Sequence, residues 1–535
     1  MNRSAFVLAS LAISVGATNY YLDPAVGNNL AAGTSPGTAW KSLARASLVK
    51  LSPGDSLLLK RGGAWPSDSL FLEAVGTAEL PIVVSDFGDP TLAAPHVSNR
   101  GNLLVLRKSS HVVVRNLVLS GAAGGCLEMR DSTVSHIVVE SIEAFDCGGG
   151  VNLSGNDIVL RGSYIHDGHM VVNTPDVMDD DYGASGIGFS RLDGCLVTGN
   201  RLVNLRAPSY DYGYDGGALE FWKTVRNCDI HGNFAYRTNG FSEFGGQKGD
   251  SVVEVAIHHN VLLETGLLAC FHVRDSATLF GVGYDRVRLD NNLSVTRHGP
   301  AIGYHVFADG ATLPDRTRIK IRNNIFVDDS TNYYHQQQNG WPNDPEWTHE
   351  HNLLWSQKRD PFRSGRVAGT GEIFANPGFA NLRWNETDIT DTTLDSYALR
   401  EESPAVGTGA LLGYAVDYFG QPAAPAGKVD RGPFATGWGR VGVLRPAQSI
   451  RTERPVSVWA NGVEIVVHLN AHTPISVHGR LFSRDGSLLA DLGTWRAIPG
   501  IPNSFALSRK LQPGTILVAR LESGVVRTAH VPVLP

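Results

Sequence analysis

Apolar and polar positions alternate in short runs, and one such line returns through the middle of the chain: an apolar pair, one or two polar residues, Asn, then more apolar residues. It reads DIHGNFAY around Asn233, AIHHNVLL around Asn260, RLDNNLSV around Asn292, RIKIRNNIFV around Asn324 and HEHNLLW around Asn352. These asparagines are 27, 32, 32 and 28 residues apart, and earlier lines at Asn116 (HVVVRNLVL), Ser141 (HIVVESIEA) and Gly162 (DIVLRGSYI) recur at 25 and 21. A fixed period of this length is the mark of a solenoid. Each line has the β-branched content and alternation of a short strand, and Gly-, Asp- and Asn-rich turns separate the lines without helical periodicity. The pattern therefore predicts a right-handed parallel β-helix. An Asn at one place in each turn suits a stacked ladder, because its amide both donates and accepts.

Two other stretches depart from this period. Before it, Ala39 to Val49 predicts a short amphipathic helix followed by a strand at Ser56 to Lys60, a cap for the apolar layer that a solenoid end exposes. After about residue 440, RPVSVWANGVEIVVHL, ISVHGRLFSRDGSLLADL and LQPGTILVARLESGVVRTAHVPVL predict a small β-sandwich. The all-β chain thus divides into residues 1–17, a β-helix with its cap helix over 18–440, and a sandwich over 441–535. Residues 1–17, MNRSAFVLASLAISVGA, have the Arg-bearing start, apolar stretch and small-residue end of a secretory signal. The expected location is secreted or cell-surface, with no membrane span and a monomeric state.

Composition changes this picture little. A net charge of −6 without a basic block gives no nucleic-acid footprint. The 59 glycines fit many tight turns. Five cysteines, Cys126, Cys147, Cys195, Cys228 and Cys270, are too few for a disulfide scaffold, and the favoured reading is small buried core residues. Cys126 and Cys147, about one rung apart, are candidates to stack or pair. Without HExxH, CxxC or a Gly-rich phosphate loop, neither a catalytic zinc site nor a nucleotide cofactor is expected.

Carboxylates, aromatics and histidines concentrate between residues 176 and 305. DVMDDDYGASGIGF carries Asp176, Asp179, Asp180 and Asp181, and SYDYGYDGGALEFW carries Asp211, Asp215, Glu220 and Trp222 among Tyr210, Tyr212 and Tyr214. GFSEFGGQKGD supplies Glu243 and Lys248; CFHVRDS and VTRHGPAIGYHVF supply His272, Arg274, His298 and His305. Glu220 and Glu243 sit in aromatic, strand-like lines 23 residues apart, so they are expected at equivalent places on adjacent rungs, ~4.8 Å apart. A retaining glycosidase needs carboxyls ~5–5.5 Å apart, an inverting one about 6.5–9.5 Å, so stacking favours retention. Two carboxylates that close raise one pKa and supply a protonated acid. Trp222 and Tyr214 offer faces for sugar rings.

Resemblances add to these readings. The Tyr-x-x-Asp-Pro start with its Pro-Gly-Asp strand, and the NPGFANL and VDRGPF segments near residues 376–382 and 429–434, resemble the ends of extracellular β-helix glycan-degrading enzymes. GRLFSRDGSLL and LQPGTILVARLESG resemble C-terminal sorting domains of the type IX secretion class, which implies surface anchoring; a carbohydrate-binding module is the alternative. LEFWKTVRNCDIHGNFAYRTNGFSEF resembles the β-helix β-xylosidase family, with Glu in place of its first Asp. That resemblance implies a secreted retaining hydrolase of plant cell-wall glycans such as xylan, with Glu220 as nucleophile, Glu243 as acid/base and Asp215 modulating. Lys248, His272, Arg274, His298 and His305 join Trp222 and Tyr214 as sugar-binding candidates, with no cofactor. Alternatively, Glu243, Lys248 and Arg274 have the spacing of alginate lyase and chondroitinase B type lyases, which implies β-elimination on uronates with Ca²⁺ held by Asp215, Glu220 and Glu243. A non-catalytic glycan-binding surface protein is the third reading.

Overall fold

The computed structural model describes residues 16–436, apart from 178–179, 248, 274–281, 297–300, 307–317, 329–347, 357–367, 383–393 and 425–426, together with seven strands between Val456 and Pro532. Nearly all described elements are strands, in two long parallel sheets of 20 and 12 strands. The fold is the expected parallel β-helix. Each rung has three sides. In one, Gly217–Trp222 lies on the first face, Val225–His231 on the second and Phe234–Tyr236 on the third. The next rung repeats this as Ser242–Gly245, Ser251–His258 and Val261–Leu263. Pairing is in register from rung to rung, with Leu219 beside Ser242, Cys228 beside Val255 and Phe234 beside Val261. Strands Gly149–Arg161 and Ser185–Thr198 run across the first corner, joining two faces into one sheet. Gly155 sits at that corner with φ +110°, and a Cβ there would lie 2.0 Å from the Val134 carbonyl oxygen, so glycine alone permits the approach.

Apolar side chains alternate inward along each strand and merge into one core running the length of the stack. Phe189, Phe221, Phe244 and Phe271 form a column within it, with ring centroids 4.3, 4.5 and 4.9 Å apart. Parallel in-register pairing brings identical positions together, and offset stacking of these rings adds to their burial.

Between the second and third faces runs the asparagine ladder. The amide Oδ1 of Asn233 accepts from both the backbone N–H and the Nδ2 of Asn200, each at 3.0 Å. The same double bond repeats from Asn233 to Asn260, Asn260 to Asn292, Asn292 to Asn324 and Asn324 to Asn352, at 2.8–3.0 Å. Each Nδ2 also donates to a carbonyl of the preceding rung, such as Val197 for Asn233 and Ile230 for Asn260. The ladder starts at Ser163, whose N–H donates to Asn200, and reaches Glu372, which accepts from Asn352 at 2.8 Å.

Three earlier positions need correction. Asn116, Ser141 and Gly162 do not continue the ladder; they have φ of 59°, 53° and 57° and belong to the column one residue before it, with Gly232, His259, Asn291, Asn323 and His351. That column makes the left-handed turn between faces, which Asn and Gly tolerate best. The ladder column there holds Leu117, Ile142 and Ser163. The cysteines also differ from the favoured reading: Cys126 pairs with Cys147, and Cys195 with its in-register neighbour Cys228. Closing loops of this size contributes about 3–4 kcal/mol each in the chain-entropy account.

At the beginning, the cap helix is shorter than expected, Leu43–Ala46, with Ser42 accepting from the Arg45 N–H at its start. Trp40, buried and stacked on Tyr20 at 5.1 Å, closes the core there. The strand Ser56–Lys60 lies where expected. The chain divides into two units, Met1–Ile450 and Arg451–Pro535. The second contains an antiparallel three-stranded sheet and an antiparallel four-stranded sheet.

Asn260→Ala removes the acceptor of the Asn233 N–H and one of the acceptors of its Nδ2, so urea unfolding should show a loss of about 1–3 kcal/mol. Asn116→Gly, at a left-handed turn outside the ladder, should lose less than about 1 kcal/mol.

Candidate active site

On the first face, ALEFW places Leu219 and Phe221 in the core and turns Glu220 and Trp222 outward. SEFG does the same one rung on, burying Phe244 and turning Glu243 outward. Glu220 and Glu243 are direct in-register partners, as their spacing predicts. The phenylalanine column lies behind them and ties both rungs together. Gly188, the preceding in-register partner of Glu220, has no side chain, and the Asn152 amide fills that place, 2.5 Å from where a Cβ would sit.

Asp215 arrives from a separate device. The antiparallel hairpin Ala207–Ser209 and Gly213–Asp215 projects from the stack just before the rung of Glu220. Asp215 ends the hairpin, and its Oδ1 accepts from the Gly216 N–H at 2.7 Å. Tyr210, Tyr212 and Tyr214 are exposed on the same hairpin, and Arg206 lies over the Tyr214 ring at 5.3 Å.

The position two residues beyond Glu243 is Gly245, beside Trp222. A Cβ on Gly245 would lie 2.1 Å from the Trp222 ring, so the indole occupies the space over that glycine. The next residue in this column is His272, whose ring meets Trp222 edge-on at 6.1 Å. His272 reaches back diagonally, and its Nε2 lies 2.5 Å from Glu243 Oε1. Ser185 donates to Glu220 Oε1 from the neighbouring rung. Asp215, Glu220, Glu243, Trp222 and His272 thus form one site; Ser185 and Gly245 are the members that the sequence reading missed. His305 is the in-register partner of His272 on the following rung. Lys248, Arg274 and His298 lie outside the described residues, as do Asp179, Tyr333, Tyr334, Trp341 and Trp347.

The electrostatics divide the carboxyls. Burial pushes Glu220 up to about 8, the charge on Glu243 pushes in the same direction, and the Ser185 hydroxyl only partly offsets them. Burial also pushes Asp215 up to about 6, opposed by the Gly216 N–H and aided by the charges of Glu243, Asp181 and Asp211. At neutral pH Glu220 is largely a neutral acid beside ionised carboxylates. As hard oxygen donors, Asp215, Glu220 and Glu243 suit Ca²⁺ by type. Among the described residues, however, the three-residue groups with ligand atoms within 4.8 Å of one another lie elsewhere, at Asp180, Asp181 and Asp211 and at Asp229, His231 and His258.

No protein-family model matches the chain. Over 130 residues it is 32% identical to a lacto-N-biosidase of Bifidobacterium longum subsp. longum, a match covering 24% of this chain and 8% of that protein, so the chain spans under a tenth of that relative's length. Among solved structures, pectate lyase Pel9A superposes with a TM-score of 0.49 at 14% identity, over 79% of this chain and 98% of that one. A GH136 lacto-N-biosidase from Eubacterium ramulus gives 0.37 at 15% identity, over 67% of each chain, and the PL6 alginate lyase AlyGC 0.34 at 13%, over 70% and 58%.

Carboxyl carbon-13 NMR should show Glu220 titrating near pH 8, moving down in Glu243→Gln as a like charge disappears and up in Ser185→Ala. A Glu220 midpoint in the ordinary carboxylic range would rule out the split.

Proposed function

We propose that the chain is a carbohydrate-active β-helical enzyme, a glycoside hydrolase in which Glu220 donates a proton and Glu243 is the ionised partner. The observation that carries this reading is the in-register Glu220/Glu243 pair with the proton held on Glu220. Rung spacing of ~4.8 Å favours a retaining mechanism. In the first step Glu243 attacks the anomeric carbon while Glu220 protonates the leaving oxygen. In the second, Glu220 takes a proton from water as that water displaces Glu243, so the products together gain one water. This reverses the roles that the xylosidase resemblance implies: burial and the Glu243 charge make Glu220 the better acid, and the His272 contact orients Glu243. Trp222, partly exposed on the strand of Glu220, offers a face for a sugar ring.

The surroundings favour a neutral glycan. Asp181 and Asp211 add their field to that of Glu243 at Asp215. A uronate entering this site would meet like charge from these carboxylates. The sequence match to a lacto-N-biosidase supports hydrolysis. Secretion, through the signal at residues 1–17, remains part of the proposal, and disulfides that staple neighbouring rungs suit an oxidising compartment.

Product masses from a panel of neutral and uronate-containing glycans test the reading: hydrolysis adds one water, elimination leaves unsaturated products without it. Glu220→Gln and Glu243→Gln should each lower kcat by about 10²–10⁴-fold. Because the donor must hold its proton, kcat should fall as pH rises through about 8, and that limb should vanish in Glu220→Gln. Full activity in both variants would overturn the assignment.

A further inference from the structure

A second constellation lies on the adjacent face of the same two rungs, apart from the carboxyl pair. Asp229 and His231 project from Val225–His231, and His258, the in-register partner of His231, ends the strand Ser251–His258. Asp229 Oδ1 is 3.1 Å from His231 Nδ1 and 2.8 Å from His258 Nε2. The two imidazoles stack at 4.8 Å. All three candidate ligand atoms lie within 4.8 Å of one another. We propose that Asp229, His231 and His258 bind a divalent transition-metal ion of the zinc type.

The donor set is chemically selective. Two imidazole nitrogens and one carboxylate oxygen suit Zn²⁺, Co²⁺ or Ni²⁺, whereas Ca²⁺ and Mg²⁺ take oxygen shells. Bonds of ~2.0–2.1 Å in a tetrahedral site place ligand atoms ~3.3–3.4 Å apart, so the contacts from Asp229 need to open by about 0.2–0.6 Å. Asp229 is half exposed and His231 partly so, which leaves a side for water as the fourth ligand.

The groups behind His258 favour this use. His258 Nδ1 lies 2.8 Å from Nδ1 of the buried His259, so one of them carries the proton between them. Without an ion the Nε2–H of His258 donates to Asp229 and its Nδ1 accepts from His259; an ion on Nε2 would move that proton to Nδ1, which would then donate to His259. This is the second hydrogen bond that metal-bound imidazoles commonly make. The Tyr414 ring stacks on His258 at 4.0 Å and fixes its plane. Asp290, next in register after His258, is taken up by Arg322 at 2.9 and 2.7 Å and by the Tyr414 hydroxyl at 2.7 Å, so it does not compete for the ion. A bound ion would link side chains 27 residues apart on neighbouring rungs.

Isothermal titration of Zn²⁺ into chelator-treated, untagged full-length protein tests this. The wild type should bind one equivalent more than His231→Ala, and Asp229→Asn, a near-isosteric change at a half-exposed side chain, should weaken that equivalent at least tenfold. Added Co²⁺ should give tetrahedral visible absorption in the wild type that is lost in Asp229→Asn, with thermal unfolding in the absence of metal confirming that the variant folds. Equal Zn²⁺ stoichiometry and affinity in all three proteins, or a Co²⁺ spectrum that Asp229→Asn leaves unchanged, would overturn the proposal.

Discussion

Every rung depends on how buried backbone polarity is satisfied where the chain turns between faces. Strand edges satisfy themselves by pairing, but a turn repeated inside a closed stack leaves N–H and carbonyl groups facing the interior, where an unmade hydrogen bond costs about 1–3 kcal/mol. The asparagines answer this with one side chain that is both donor and acceptor. Each Oδ1 takes two hydrogens from the preceding rung, and each Nδ2 donates to the Asn of the following rung and to a carbonyl of the preceding one. Because the ladder tolerates no slip, it fixes the register of the flanking strands, where a shift of one residue would turn each core side chain to solvent.

The carboxyl site is a product of that register. In parallel in-register sheets like sits on like, so Phe stacks on Phe and Glu stacks on Glu. Stacking is favourable for the rings and unfavourable for the charges, and the two occur at adjacent residues of the same strands. Phe221 and Phe244 hold together the rungs that Glu220 and Glu243 would push apart, and the repulsion is relieved by leaving a proton on Glu220. Burial of Glu220 is the larger cause of that proton, and the scaffold's repeat adds the Glu243 charge to it.

Much of this was legible in the sequence. Five ladder asparagines announced themselves by period, and LEFW and SEFG showed by alternation which residues face out. Asn200 was hidden because Arg201 interrupts the apolar run that follows it; in the structure that guanidinium lies over the Phe234 ring at 5.1 Å, behaving as part of an aromatic surface. Asn116, Ser141 and Gly162 misled because the turn residue and the ladder residue are neighbours, and Asn and Gly serve at the first for a backbone reason unrelated to the second. The reach of His272 to Glu243 was invisible, since it depends on the cell emptied by Gly245 and on a diagonal across two rungs. DIHGN and AIHHN contained the histidine cluster, but their asparagines drew the reading to the ladder.

The left-handed turn column has a further consequence where it meets the segment before residue 436. Asn291 Nδ2 donates to the carbonyls of Asp430 and Gly432, Asn323 exchanges bonds with Ala410, and Arg431 donates to the Asn352 carbonyl. These bonds span up to 141 residues of chain and run along the stack rather than between successive rungs. A solenoid held only by nearest neighbours can fray one repeat at a time. Here the late segment acts as a splint across several repeats, so peeling one of them requires releasing the splint as well, and this part of the stack should open as a single cooperative block.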